Sequence, residues 1–156
     1  MNLKVGTYSS SPEIFSLSIY VGGKCVTFVR DIQAFKERDH LILYSEPFVE
    51  YLVNIWEDFV NSRESIHFPD IAQGFIWPPV TITMRDDGEA LVEYIPYSTL
   101  GQQTFPLRFL VTEKVEEVVD AEECKAFLVS ALEEVTLRMK DMKPHCWETV
   151  KTLVGK

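Results

Sequence analysis

Two pairs of residues in this chain are of types that could support acid–base or nucleophilic chemistry. His145 and Cys146 are adjacent, and a histidine that removes the proton of a cysteine turns the thiol into a nucleophile. Neighbours in sequence usually point apart, so the pattern favours a surface histidine beside a packed or exposed thiol. His67 and Asp70 could act as a base and its orienting carboxylate, but no GxSxG motif supplies a nucleophile. We therefore predict that the protein is not an enzyme, and keep these two pairs as the alternative.

Metal and nucleotide sites are not indicated by the spacing of the relevant residues. The histidines and cysteines form no CxxC pair and show no ligand spacing typical of zinc. They are His40, His67, His145, Cys25, Cys124 and Cys146. The seven glycines are dispersed, and neither GxGxxG nor GxxxxGK[ST] occurs. The sequence thus predicts no metal and no cofactor.

Negative charge is concentrated in the segment from Glu113 to Glu134. It holds eight acidic residues and two lysines, and so contributes −6 to a formal net charge of −9. Apolar residues such as Val115 and Phe127 are interleaved as in a folded core, which distinguishes the segment from a disordered acidic tail. We predict a partner-binding surface here. Its proposed residues are Glu113, Glu116, Glu117, Asp120, Glu122 and Glu123.

Composition narrows the class of protein. A chain of 156 residues with 46% hydrophobic residues fits a single globular domain, here predicted to span residues 1–156. The charge of −9 disfavours nucleic acid and anionic membrane surfaces as partners, and favours a basic protein. The competing interpretation is that the charge only keeps the protein soluble. No signal-peptide pattern is evident and the cysteines are widely spaced, so we expect a cytoplasmic protein.

Hydrophobic periodicity predicts the elements of the first half. Alternation over Phe15–Val21, the Gly22-Gly23 turn and a returning strand at Cys25–Val29 indicate a hairpin. Leu41–Tyr44 is a third candidate strand. A helix over about 46–62 follows, with Ser45 as its expected N-cap. The apolar positions expected to pack on the sheet are Phe48, Leu52, Ile55, Trp56 and Phe59.

The second half begins with an aromatic, proline-rich stretch at 66–79, which we expect to be irregular. A second hairpin is predicted from Val80 to Tyr94, with Asp87-Gly88 as a type I′ turn, and a further strand at Phe105–Val111. A long helix over about 121–140 is expected to start after Asp120. A short helix at Pro144–Val154 ends the chain. The predicted fold class is α+β, a mainly antiparallel sheet packed against two principal helices and the short C-terminal one.

In the order and spacing of these elements, residues 14–140 resemble the small immunity proteins of bacterial contact-dependent or polymorphic toxin systems, notably the WapI-like type. The shared pattern is an N-terminal antiparallel sheet, a helix carrying Phe48, Leu52 and Trp56, an aromatic segment, later strands and a C-terminal helix. The resemblance implies a non-enzymatic cytosolic inhibitor that binds a toxin domain, commonly a basic nuclease. The acidic composition agrees with it, since carboxylates can occupy a groove meant for phosphates. An adaptor or structural subunit with a basic partner is the second alternative.

Overall fold

The computed structural model describes eight stretches of the chain. They are residues 2–7, 12–27, 29–31, 36–68, 80–94, 98–100, 115–140 and 144–154. Within these stretches, no helix combines the length and the apolar character needed to cross a lipid bilayer.

The described strands form three sheets. The first sheet contains β1 (Asn2–Thr7), β2 (Ile14–Val21), β3 (Lys24–Cys25) and β6 (Leu41–Tyr44). The second contains β4 (Val29–Asp31), β5 (Lys36–Arg38) and β10 (Ser98–Leu100). The third contains β7 (Ile66–Phe68), β8 (Val80–Met84), β9 (Glu89–Tyr94) and β11 (Val115–Asp120). Among these strands every pairing is antiparallel except that of β4 with β10, so the predicted, mainly antiparallel character is confirmed.

Three helices complete the described structure, α1 (Ser45–Val60), α2 (Ala121–Arg138) and α3 (Pro144–Val154). The start of α2 is set by Asp120, whose carboxylate accepts a hydrogen bond from the backbone N–H of Glu123 at 3.0 Å. This bond satisfies one of the donors that the first turn of a helix leaves without a partner, as the capping pattern predicted. The α+β fold class is therefore confirmed.

The predicted apolar stripe of α2 lies in the core. Its buried members are Cys124, Phe127, Leu128, Ala131, Leu132, Val135 and Met139. The predicted packing face of α1 is buried at Phe48, Leu52 and Phe59, while Ile55 and Trp56 are partly buried against the same cluster. One continuous cluster includes side chains of the first and third sheets and of all three helices, so these elements share the burial of apolar surface. The single-domain assignment for residues 1–156 stays a prediction.

A row of aromatic rings connects two of the sheets through α1. The ring of Phe48 lies 5.0 Å from that of Phe15 on β2, in an edge-to-face arrangement, and 6.2 Å from that of Phe68 on β7. Both centroid separations are in the range at which aromatic rings attract beyond simple area burial. Phe48 thus contacts strands of the first and third sheets at once.

The predicted capping role of Ser45 is wrong. Tyr44 occupies the N-cap position of α1 and makes no side-chain cap bond, because β6 runs into the helix at Ser45. The Ser45 hydroxyl instead donates to the carbonyl of Pro12 at 2.6 Å, and its N–H donates to the carbonyl of Glu13 at 2.8 Å. The residue is buried, and its polar groups fasten the β6–α1 junction to the segment before β2.

The two predicted hairpin turns differ in type. Gly22 and Gly23 both have positive φ, 57° and 81°, as a two-residue turn between β2 and β3 requires. Between β8 and β9 only Gly88 has positive φ, 83°, and the Arg85 N–H donates to the Glu89 carbonyl. A type I′ turn needs positive φ at two successive residues, so that prediction is wrong, and the turn is a longer one that ends in a left-handed glycine.

Other boundaries also differ from the prediction. Residues 66–68 of the supposedly irregular stretch form β7, because Ile66 and Phe68 alternate with His67 and the prolines begin only afterwards. The returning strand at 25–29 is interrupted at Val26 and Thr27, and Val29 begins a strand of the second sheet. The sequence patterns missed β1. The predicted strand at 105–111 and the stretch at 69–79 lie outside the described residues.

Candidate partner-binding surface

The third sheet has one face toward the core and one face away from it. Along β9 the side chains of Ala90, Val92 and Tyr94 are buried. Successive side chains of a strand point to opposite faces, so Glu89, Leu91 and Glu93 lie on the outer face. Part of the negative charge on that face therefore comes from β9, which precedes the acidic segment from Glu113 to Glu134 in the sequence.

The register of β11 against β9 extends this outer face. Glu116 is opposite Glu93, Val118 is opposite Leu91, and Asp120 is opposite Glu89. Residues opposite each other in an antiparallel pair project to the same side. We call the surface formed by these residues the acidic face. Its members are Glu89, Leu91, Glu93, Glu116, Val118 and Asp120.

Two like-charged pairs on adjacent strands are unfavourable for the isolated fold. Glu116–Glu93 and Asp120–Glu89 place carboxylates directly across from each other. Like charges at such positions destabilise a sheet, whereas opposite charges contribute roughly 0.2–1 kcal/mol. One basic group is near, since Arg85 Nη1 lies 4.0 Å from Glu89 Oε2. A basic partner would relieve the repulsion that the fold itself leaves.

Between the two acidic pairs lies an apolar pair. The Val118 side chain belongs to a residue that is 51% exposed, and Leu91 opposite it is partly buried. An apolar centre with a charged rim is the usual composition of a protein–protein contact, because the centre gains from burial and the rim fixes orientation.

The structure does not place all the predicted residues on one face. Glu116 and Asp120 lie on the acidic face, but strand alternation turns Glu117 to the opposite side. There its Oε1 lies 3.3 Å from Lys24 Nζ and accepts from the Tyr94 hydroxyl at 3.5 Å. Burial and then the charge of Glu117 raise the pKa of Tyr94. Glu117 thus connects β11 to the β2–β3 hairpin.

The remaining predicted residues continue from Asp120 into the first turn of α2. Glu122 is largely exposed and its Oε1 lies 2.9 Å from Lys125 Nζ. The backbone N–H of Glu123 donates to the Asp120 carboxylate. Acidic side chains are favourable at this end of a helix because of its macrodipole, so these residues also serve the helix. Glu113 lies outside the described residues.

Sequence reasoning missed the contributions of β9. Glu89 and Glu93 occupy polar positions in a strand that the sequence predicts well, so the outward direction of their side chains can be predicted from the alternation. Their position beside Glu116 and Asp120 cannot be predicted from local sequence, because it depends on the pairing of β9 with β11. Val118 belongs to the segment whose apolar residues we predict to be interleaved as in a folded core, but the structure places its side chain on the outer face.

Only one member of the first candidate catalytic pair, His67, lies among the described residues. His67 is exposed, and its Nδ1 lies 3.1 Å from the Thr81 hydroxyl on the neighbouring strand. Asp70 lies outside the described residues. The geometry therefore gives His67 a hydrogen-bonded position on the outer side of the third sheet.

The second candidate pair is closer than the sequence argument expected. His145 Nε2 lies 3.5 Å from Cys146 Sγ, although the two residues are neighbours in α3. The same Nε2 lies 3.6 Å from Glu46 Oε1 on α1. In a Cys–His–carboxylate relay the carboxylate orients the ring through the other nitrogen, so this arrangement differs from a catalytic triad.

The third cysteine offers a test of burial in the core. Cys124 is fully buried, and this burial raises the pKa of its thiol to about 12. With this pKa, a fraction on the order of 10⁻⁴ of the Cys124 thiol is ionised at pH 8. The thiolate is the form that reacts, so Cys124 should react very slowly. We expect peptide-resolved iodoacetamide labelling of the native protein to leave Cys124 unmodified while the partly exposed Cys25 reacts. Unfolding in denaturant should expose Cys124, and equal labelling of both thiols in the native protein would contradict this placement.

Neither family models, nor curated proteins, nor solved structures gave a match to this chain.

Proposed function

We propose that this protein is an immunity protein, a non-enzymatic cytoplasmic inhibitor that binds and neutralises a basic toxin domain. The observation that carries the proposal is the acidic face, where two like-charged cross-strand pairs flank an apolar pair whose Val118 is exposed. Carboxylates that face each other across paired strands repel and so destabilise the sheet. A partner that brings Lys or Arg would gain charge-assisted hydrogen bonds there.

The chemistry of this face favours a protein over a nucleic acid. Phosphate backbones would be repelled by Glu89, Glu93, Glu116 and Asp120. A nuclease cleft, by contrast, presents positive charge for phosphates, and carboxylates can occupy the same positions. Val118 would be buried against the rim of such a cleft and contribute apolar area.

Inhibition would then be stoichiometric. The acidic face would cover the cleft and exclude the substrate, and no bond would be made or broken. Long-range attraction between a protein of net charge −9 and a basic toxin raises the association rate, which protects the producing cell before damage accumulates.

The sharpest test replaces Glu116 by lysine. We expect Glu116→Lys to weaken binding to the cognate toxin domain, sought first among the neighbouring genes, at least about tenfold, mainly through slower association. Cells that co-express the Glu116→Lys variant with the toxin should no longer be protected. Stability should stay the same or rise by roughly 0.2–1 kcal/mol, because the lysine would face Glu93 across the strands.

The matched control is Glu133→Lys, which makes the same charge change at an exposed position of α2. This variant should retain both binding and protection. An equal loss of toxin binding in the two variants would show that the effect depends only on net charge, and not on the acidic face. If Glu116→Lys and Val118→Asp both bind and protect like the unaltered protein, the acidic face is not the toxin contact. If the unaltered protein gives no protection, the immunity function itself is wrong.

A further inference from the structure

Three potential metal ligands from two helices converge beside a small cavity. Glu46 is in the first turn of α1, and His145 and Cys146 are in the first turn of α3. Each residue offers one donor atom, and these three atoms all lie within 4.8 Å of one another. His145 Nε2 is the central atom, 3.5 Å from the sulfur and 3.6 Å from the carboxylate oxygen.

The two distances from His145 Nε2 match the ligand spacing of a tetrahedral zinc site. Zinc bonds of about 2.3 Å to sulfur and about 2.0–2.2 Å to nitrogen and oxygen place tetrahedral ligands about 3.4–3.6 Å apart. The contacts of Nε2 with Cys146 Sγ and with Glu46 Oε1 already fall at this spacing without movement of the helices. We propose that Glu46, His145 and Cys146 form a Zn²⁺ site that joins α1 to α3.

The donor set selects the class of metal. A thiolate and an imidazole are ligands for zinc and similar transition metals, and are poor ligands for Mg²⁺ or Ca²⁺. The carboxylate and the thiolate supply two negative charges to balance the dication. Both lie in first turns of helices, where the macrodipole favours anionic side chains.

The neighbouring cavity supplies the fourth position. It has a volume of about 90 Å³ and is lined by His145, Cys146 and Thr149 of α3 together with α1 residues. The α1 residues are Val49, Glu50, Val53 and Asn54. A single water needs only about 10–15 Å³ of such volume, so water can complete the coordination. Cys146 is otherwise buried, and this cavity gives the metal a path to its sulfur.

A metal site also explains why His145 contacts both Cys146 and Glu46 through the same nitrogen, Nε2. A metal ligand uses one ring nitrogen, and the other donor atoms then surround the ion on that side. The ring would bind through Nε2 in its neutral form. Cys146 would bind as the thiolate, and its proton would pass to solvent, so zinc affinity should rise with pH.

The test is zinc titration of the full chain, prepared with chelator and without a polyhistidine tag. We expect binding of one Zn²⁺ per chain and a higher melting temperature with the metal. Co²⁺ in place of Zn²⁺ should give the charge-transfer absorption of a cobalt–thiolate bond, and this band should vanish in Cys146→Ala. A spectrum showing only oxygen and nitrogen ligands would overturn the assignment.

Substitutions at the accessible ligands keep the test independent of core packing. Even groups that only support a metal ligand contribute about 10–100-fold to affinity, so Glu46→Gln and His145→Asn should each weaken zinc binding at least about tenfold. His67→Asn and Glu57→Gln are the controls, one a histidine elsewhere and one an exposed carboxylate about three turns along α1 that does not line the cavity. Unchanged affinity in both ligand variants, or no binding by the unaltered chain, would overturn the site. Toxin binding does not enter either readout.

Discussion

Replacing Phe48 with alanine is expected to lower the free energy of unfolding by about 3–5 kcal/mol, the usual cost of removing a buried aromatic ring. Phe48 is 5% exposed and makes ring contacts with Phe15 on β2 and Phe68 on β7. The substitution therefore leaves a cavity where the first sheet, α1 and the third sheet meet. Denaturation by urea, followed by circular dichroism and by tryptophan fluorescence, measures the loss.

Leu137→Ala is the control for this change. Leu137 is 56% exposed on α2, and its truncation should alter stability by no more than about 0.5 kcal/mol. Natural domains are stable by roughly 5–15 kcal/mol, so Phe48→Ala consumes a large share of the total. A loss below about 1 kcal/mol would mean that the row of rings does not hold the two sheets together.

Replacing Thr27 with valine is expected to cost about 1–3 kcal/mol with almost no change in side-chain shape. Thr27 is fully buried, and its hydroxyl accepts from the Ile19 N–H at 3.1 Å and donates to the Asp39 carbonyl at 2.8 Å. Ile19 lies where β2 passes from pairing with β6 to pairing with β3. The threonine hydroxyl takes the place of a ladder hydrogen bond at that gap.

Hydrogen exchange separates this explanation from a packing effect. In Thr27→Val the Ile19 amide should exchange faster relative to its neighbours, because its acceptor is gone. Thr27→Ser keeps the hydroxyl and should preserve the protection of that amide. A valine variant as stable as the unaltered protein would show that the hydroxyl has no net role.

Most elements were predictable because their hydrophobic periods are strong. The alternation in β2, β8 and β9 and the helical spacing in α1 and α2 depend only on local sequence, and Asp120 followed by Glu123 located the start of α2. Short strands were harder. Residues 66–68 are too few to establish a period. Ser45 is of a residue type that often caps helices, but its hydroxyl donates to the Pro12 carbonyl instead.

The candidate sites could be predicted only in part, because they depend on which elements become neighbours. The density of charge from Glu113 onward was visible, but the cross-strand partner of Glu116 is set by register. The same alternation sends Glu117 to the other face. Glu46 is far from His145 in the sequence, so the distance of 3.6 Å between Glu46 Oε1 and His145 Nε2 has no local signature.

The strand-to-helix junctions fix the length of the chain at two places. β6 gives way to α1 at Ser45 and β11 to α2 at Ala121, with no connecting residue in either case. One inserted residue would turn the following helix by about 100° and carry its apolar stripe away from the core. The Gly22-Gly23 turn is the opposite case, since both glycines are exposed at the tip of a hairpin, the kind of place where insertions are best tolerated. Insertions, probes and fusions to this protein therefore belong at that turn, and neither junction accommodates them.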